Sequence, residues 1–342
     1  IYNLEKMGEA QTIISTTNEV ETDISALMDW ILQNTKDGKL VGEWLKQYNN
    51  IDDVPLPLYM YKGFTKYTYL QFVDLIFEDK NIFIREYKSN LEQLFEDKKY
   101  ILSFGAAIML YKIAFPIEKI VENNCFITSS MLVQVELDAA KIIEEYDREH
   151  VASMGVYDGK VFLNQADESR KEYWIKEAGK IKKYFNQIPV VENSNDLKGE
   201  LFEKTNIKEL IGICDYDALT IAQNDSNYVL ITLEAILNFW AKSKDVNFDC
   251  CCLVDWIVGI NLSCIELLLY IKKLLNYGCL YSINHSVLKL ISEKVQVVDD
   301  NEKKRVYVLI DEIMKSIDLF EEKSKLLAVQ SIVEEVNFAQ NK

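Results

Sequence analysis

Residues 215–234 read DYDALTIAQNDSNYVLITLE, and this stretch decides the fold. Its first part has the composition of a helix that carries two acids. The turn-forming residues 224–227 follow the helix. Residues 229–231 then form a continuous apolar run, which is typical of a strand buried in a parallel sheet. Glu234 comes just after that strand, at the end where functional groups of α/β proteins gather.

Short apolar segments alternate with helical segments on both sides of this stretch. Alternation of this kind is typical of a parallel sheet with crossover helices. We therefore predict an α/β domain over residues 100–254, between a helical region at 1–99 and a second helical region at 255–342. The predicted strands are 100–104, 125–128, 228–231 and 248–254. A hairpin at 151–163 with an Asp158-Gly159 turn and a long helix at 168–185 form an insertion.

The two flanking regions show helical periodicity of their apolar residues. In the first region the periodicity predicts helices at 22–32, 67–77 and 82–95. In the last region it predicts helices at 264–275, 285–291, 303–319 and 323–336. The helix pairs of the first region resemble helical-hairpin repeats in length, without a fixed period.

The charge of the chain limits its partners. Its 342 residues carry a formal net charge of −16 and a sequence pI near 4.8, which argues against a general nucleic-acid coat and against an anionic membrane surface. A nuclease is compatible with this charge, because catalytic acids add negative charge and a short basic patch is enough to hold a substrate.

Cysteine and hydropathy patterns indicate a cytoplasmic protein. The 7 cysteines are odd in number and include three adjacent ones at 250–252, which suits buried thiols in a reducing compartment. Glu5 and Glu9 interrupt the place of a signal peptide. Acids and an asparagine break the longest apolar stretch, 250–269, so we predict no membrane span. The first residue is Ile1, so we expect the chain to be part of a longer polypeptide.

Four segments together resemble the PIN-like nuclease domains. Tyr100-Ile101-Leu102-Ser103 is similar to the first strand of that family, and Phe126 to Ser130 with the following Val135-Glu136 is similar to the second strand and its acid-bearing helix. The run from Asp217 to Ala222 resembles the helix with the third acid. The run from Val229 to Glu234 resembles the strand that ends in threonine, any residue and an acid. Bacterial members of this family lie beside helical repeats, and the resemblance covers less than half of the chain.

The resemblance implies a metal-dependent endoribonuclease. In PIN-like domains acids from distant segments meet at the carboxyl edge of the sheet and hold Mg²⁺ or Mn²⁺, which activates water against a phosphodiester. Carried over to this chain, the catalytic and metal-binding acids are Glu136, Asp217 and Glu234, with Asp215 as a further metal ligand. Ser103 and the basic residues of the long helix, namely Arg170, Lys171 and Lys180, are the corresponding candidates for substrate binding.

Three alternatives stay open at this stage. Active PIN-like members end their first strand in an aspartate, whereas this chain has Ser103, whose hydroxyl is a poor metal ligand. The chain therefore fits either a ribonuclease that binds RNA or a catalytically inactive PIN-like module that contacts a protein partner or assembles with the rest of its polypeptide. A plain helical scaffold is the third alternative. For Glu234 the simpler interpretation is an exposed acid that opens a helix and favours its dipole.

Overall fold

The computed structural model describes most of the central chain and parts of its flanks. The described residues are 58–62, 67–78, 98–146, 152–157, 160–165, 168–197, 207–241, 248–277, 279, 291, 293–296 and 298–317. The predicted helices at 22–32, 82–95 and 323–336 lie outside these residues, as does nearly all of the one at 285–291.

Five parallel strands form the central sheet, so the predicted α/β fold is confirmed. These strands are β1 Lys99–Leu102, β2 Cys125–Thr128, β5 Val190–Val191, β6 Tyr228–Thr232 and β7 Cys250–Cys252. A separate antiparallel hairpin consists of β3 Ala152–Tyr157 and β4 Lys160–Gln165, and its register pairs Tyr157 with Lys160 across the predicted two-residue turn.

Helices surround the sheet in the order that the crossover pattern predicted. Before and between the strands lie α1 Leu58–Lys62, α2 Tyr69–Glu78, α3 Phe104–Lys112, α4 Ile117–Glu122, α5 Ser129–Tyr146, α6 Glu168–Phe185 and α7 Ile207–Asn224. After β6 lie α8 Ala235–Ala241, α9 Leu253–Gly259, α10 Cys264–Asn276 and α11 Asp300–Ile317. None of the helices in the described part of the chain combines the length and apolarity that crossing a bilayer requires.

The strand order is β5-β2-β1-β6-β7, which reverses direction between β1 and β6. From β1 the chain moves outward on one side through β2 and β5, and it then returns through α7 to β6 on the other side of β1. Ligands of open α/β sheets bind where the order reverses, outside the carboxyl ends of the strands. In this chain that crevice lies beyond Leu102 and Thr232.

The centre of the core lies where the sequence predicted it. Strand β6 is buried along its whole length, because helices cover both faces of the sheet. The apolar run predicted at 229–231 is inaccessible to solvent, and so are the strand residues Ile101, Leu102 and Ile127. One cluster of buried apolar residues extends from Leu58 to Ile313 and so joins all three predicted regions.

Candidate functional site

The crevice between β1 and β6 is lined by residues that follow the two strands directly. The Ser103 N–H donates to the Ile231 carbonyl at 2.8 Å, which extends the β1–β6 pairing by one residue. Ser103 is buried and serves as the N-cap of α3, since its hydroxyl accepts a hydrogen bond from the Ala106 N–H at 3.3 Å. The end of β1 therefore contributes a helix cap to this crevice and no carboxylate.

Glu234 is held inside the crevice. The Thr232 hydroxyl oxygen accepts the Glu234 N–H at 2.9 Å and fixes the turn after β6. The Glu234 carboxylate accepts the Leu58 N–H, the first of α1, at 2.8 Å. With only 6% of its surface exposed, Glu234 is not the solvent-facing acid of the simpler interpretation.

Asp215 occupies the crevice because α7 is kinked. Gly212 has φ +78° and interrupts the helix, so Asp215 lies in the first turn of the second half. An acid in a first turn is favoured by the positive end of the helix dipole. The Asp215 carboxylate accepts the Phe104 N–H, the first of α3, at 2.7 Å. A Cβ on Gly212 would lie 2.7 Å from the Tyr59 ring, so glycine permits both the kink and this contact.

Asp138 of α5 is a further buried acid, and it accepts hydrogen bonds at the amino end of α2. Its carboxylate accepts the Leu70 N–H at 2.9 Å and the Gln134 side-chain amide at 2.8 Å. A capping box starts α2: the Gln71 N–H donates to the Thr68 hydroxyl at 3.2 Å, and the Thr68 N–H donates to the Gln71 side chain at 3.0 Å.

Tyr69 lies beside two of these acids, Asp215 and Glu234. Its ring stacks on Phe104 with centroids 4.5 Å apart and meets Tyr59 edge-on at 5.0 Å. The Tyr69 hydroxyl is buried close to Asp215 and Glu234, yet it makes no hydrogen bond of good geometry. Burial, followed by the charges of these two acids, raises the pKa of Tyr69 well above its ordinary value.

Burial governs the protonation of the acids. It raises the pKa of Asp215 to about 7, against the hydrogen bond from Phe104 and the neighbouring Tyr69 hydroxyl, both of which lower it. Burial and then the charge of Asp215 raise the pKa of Glu234 to about 8, although the Leu58 N–H opposes this rise. Burial also raises the pKa of Asp138. Asp215 and Glu234 therefore share protons near neutral pH and are not both fully charged.

Two of the acids named from the resemblance meet in the crevice, namely Asp215 and Glu234. The structure places Glu136 elsewhere: its side chain is 52% exposed and pairs with Lys182 of α6 at 3.2 Å. Two residues span about 200° around a helix, so Glu136 points away from the side on which Asp138 lies. Asp217 is half-buried and accepts a hydrogen bond from the Asn193 side-chain amide at 2.9 Å.

The predicted substrate-binding residues of α6 lie apart from these contacts. Lys180 is exposed and bonds Glu177 of its own helix at 3.3 Å. Lys171 is half-buried, and the side chain of Arg170 is outside the described part of the chain. The α6 face that packs inward instead presents Glu177, which lies 3.8 Å from the ammonium of Lys112.

Asp138 was missed at the sequence level, although a signal for it was available. On α5 the buried positions include Val135, Ala139 and Ile142, and Asp138 falls on the same face at helical spacing. Tyr69 was also missed. The Thr68 to Gln71 capping box could be recognised in the sequence. Its contact with α5 could not, because the hydrogen bond from Leu70 to Asp138 joins residues 68 positions apart.

The residues as arranged do not fit a divalent cation. Mg²⁺ and Mn²⁺ require several free carboxylate or carbonyl oxygens around one point. Here Asp138, Asp215 and Glu234 each accept a main-chain N–H, and no group of three acids, cysteines or histidines within the described ranges has a metal-binding arrangement.

Comparison of this chain with protein-family models, with curated proteins and with solved structures gave no match.

Proposed function

We propose that this chain is a catalytically inactive PIN-like module that acts as an assembly scaffold for the helical segments of its own polypeptide. One observation carries the proposal. Three buried acids, Glu234, Asp138 and Asp215, each accept the first-turn N–H of a helix, namely Leu58 of α1, Leu70 of α2 and Phe104 of α3. In this chain the acids therefore act as remote helix caps.

The chemistry of phosphodiester hydrolysis supports the same proposal. A metal-dependent nuclease needs carboxylate oxygens that are free to bind the cation, and room for a water and a phosphate. In this crevice each of the two carboxylates accepts a main-chain N–H, and the buried Tyr69 hydroxyl lies close to both of them. Ser103 adds no negative charge. The buried cysteines of the described residues fit the reducing cytoplasm as the site of this scaffold.

A metal-dependent endoribonuclease is the second candidate. Asp215 and Glu234 are buried beside each other at the point where the strand order reverses, and their pKa values are raised. Clusters of perturbed acids in a crevice occur preferentially at functional sites. Under this candidate the partner is single-stranded RNA and the cofactor is Mg²⁺ or Mn²⁺.

A Mn²⁺ titration by calorimetry, run beside a cleavage assay on single-stranded RNA, tests the two candidates. The scaffold proposal expects no binding heat and no Mn²⁺-dependent cleavage. The Asp215→Asn variant is the matched control, since it keeps the size of the side chain and an acceptor for the Phe104 N–H. If the unchanged protein cleaves RNA and Asp215→Asn abolishes this cleavage, the ribonuclease candidate is established and the scaffold proposal is overturned.

A further inference from the structure

An exposed apolar strip runs along the solvent side of α5. Val133, Leu137 and Ile143 are 55%, 62% and 41% exposed, whereas the opposite side of the helix is buried in the core. Single apolar residues scattered over a surface need no explanation, but these three lie within about three turns of one helix. Apolar patches of this kind are typical of surfaces that bind another protein segment.

A basic strip on α6 lies next to this apolar strip. The Glu136–Lys182 ion pair, at 3.2 Å, joins the exposed sides of the two packed helices. Around α5, Val133 and Ile143 lie within about 60° of Glu136. Around α6, Lys183 follows Lys182 by about 100° and is exposed. The apolar strip of α5 and the lysines of α6 therefore face solvent side by side, and together they form the α5–α6 surface.

Two lysines give this surface an excess of positive charge. Lys176 and Lys183 are exposed, lie about two turns apart on α6, and make no ion pair within the described part of the chain. Lys180 lies between them and bonds Glu177. Glu172, one turn before Lys176, is an exposed acid on the same side. A segment that fits the α5–α6 surface therefore needs an apolar side with acids along its edge.

One segment of this chain has that chemistry. Residues 19–32 lie outside the described ranges and read EVETDISALMDWIL. They contain four acids and no lysine, arginine or histidine. Apolar residues recur at positions 24, 27, 28 and 31, which is the spacing of one helical face, and Asp23 falls about 90° from the centre of that face. The sequence of this segment thus combines an apolar side with an acidic edge.

The connection between this segment and the sheet is long enough for it to reach the α5–α6 surface. Residues 33–57 separate the segment from Leu58, which is hydrogen-bonded to Glu234. An extended chain of this length spans roughly 80 Å, whereas a domain of about 200 residues is roughly 40 Å across. Chain length therefore allows the segment to reach any surface of the same molecule.

We propose that the α5–α6 surface is the docking site of residues 19–32 of the same chain. The apolar side of the segment covers Leu137, and its acids lie beside Lys176 and Lys183. Burial of apolar side chains supplies most of the affinity, because exposed ion pairs contribute little, and the charges set the orientation. The inference rests on the proposed scaffold function, and it names the surface on which one predicted helical segment of the polypeptide assembles.

Zero-length cross-linking of the full chain tests the contact directly. A carbodiimide joins a carboxylate to a lysine amine where the two are in contact, and mass spectrometry of the monomer fraction identifies the joined peptides. We expect cross-links from the acids of residues 19–32 to Lys176 or Lys183. Lys304, which is exposed on α11, is the matched control and should give none.

Charge reversal gives an independent measurement. In Lys176→Glu/Lys183→Glu we expect the amides of residues 22–32 to exchange about tenfold faster, as followed by mass spectrometry. Adding Asp23→Lys/Asp29→Lys to this variant should return the exchange to that of the unchanged protein. A general loss of stability would not be repaired in this way, so the rescue identifies a direct contact.

The apolar half of the surface is tested separately. Leu137→Ser removes an exposed apolar side chain and should also speed exchange in residues 22–32, because the segment loses the contact that supplies most of its affinity. Lys304→Glu changes the charge of the chain as much as either single lysine reversal and should leave this exchange unchanged.

Three results would overturn the docking site: no cross-link from residues 19–32 to Lys176 or Lys183, cross-links to Lys304 in equal yield, or exchange of residues 22–32 that charge reversal leaves unchanged. Cross-links found only in a dimer fraction would overturn the same-chain assignment and show that the segment comes from a second copy. None of these results depends on Mn²⁺ binding or RNA cleavage, which test the proposed function separately.

Discussion

Glu234, which follows the central strand β6, accepts the main-chain N–H of Leu58 at 2.8 Å, although 176 positions separate the two residues. This hydrogen bond joins the α/β sheet to the predicted helical region before it. The acid that follows β6 therefore caps the first helix that the structure describes.

Asp138 should contribute to stability through its contact with α2. Asp138→Ala leaves the Leu70 N–H buried without an acceptor, which we expect to lower the free energy of unfolding by about 1–3 kcal/mol. Asp138→Asn keeps an acceptor and should lose less. Urea denaturation measures both, and Glu136→Ala, on the exposed side of the same helix, should change stability by under about 0.5 kcal/mol. Equal losses for Asp138→Ala and Glu136→Ala would contradict the capping role.

Replacing Gly212 and Gly179 by alanine should have opposite effects on stability, so the two substitutions serve as a matched pair. Gly212→Ala places a Cβ 2.7 Å from the Tyr59 ring at a residue with φ +78°, so we expect a loss of about 1–3 kcal/mol. Gly179 lies within α6 with open space around it, and Gly179→Ala should stabilise the protein by about 0.5–1 kcal/mol. Thermal or chemical denaturation gives both values. A stabilising Gly212→Ala would show that the kink in α7 is not required.

The buried acids should make stability depend on pH. Because the pKa of Glu234 is about 8 in the folded chain against 4.5 for an ordinary glutamate, the folded state holds a proton that the unfolded state releases. The contribution of this group to the free energy of unfolding therefore falls by up to about 1.4 kcal/mol per pH unit as pH rises between these values. Glu234→Gln mimics the protonated side chain at every pH.

The comparison is made by urea denaturation from about pH 5 to about pH 8. Glu234→Gln should become more stable relative to the unchanged protein as pH rises. Glu266→Gln is the control: the main-chain N–H and hydroxyl of Ser263 lower the pKa of Glu266, so its contribution is fully present throughout this range and the difference should stay constant. If the stability difference between Glu234→Gln and the unchanged protein also stays constant with pH, Glu234 does not hold a proton in the folded state.

Leu230 lies at the centre of the sheet, with no exposed surface and a pairing to both β1 and β7. Leu230→Ala should lower the free energy of unfolding by about 2–5 kcal/mol, because it removes buried apolar contacts and leaves a cavity. The exposed apolar residue Val133 serves as the control, and Val133→Ala should cost under about 0.5 kcal/mol. A loss below about 1 kcal/mol for Leu230→Ala would place this strand at the periphery.

The sequence by itself determined four of the five strands of the sheet, whereas the two-residue strand β5 was not predicted. The apolar run at 229–231 and the segment 100–102 are short, β-rich and bounded by turn or helix signals, and such patterns depend on neighbours along the chain. Glu234 and Asp215 were recognisable as acids beside a strand end and on the helix before it. The long helix at 168–185 was likewise visible, because its periodicity is local.

Only the tertiary structure decided which acids meet and what they bind. Whether Asp138 or Glu136 is the buried acid of α5 depends on the rotation of this helix against the sheet, since residues two positions apart lie on opposite sides of a helix. The N–H donors of Leu58 and Leu70 come from helices whose docking depends on burial of Tyr69 and on the Asp74–Lys112 pair. Periodicity reports which residues are buried, but the partner of a buried acid is set by contacts between segments far apart in the chain.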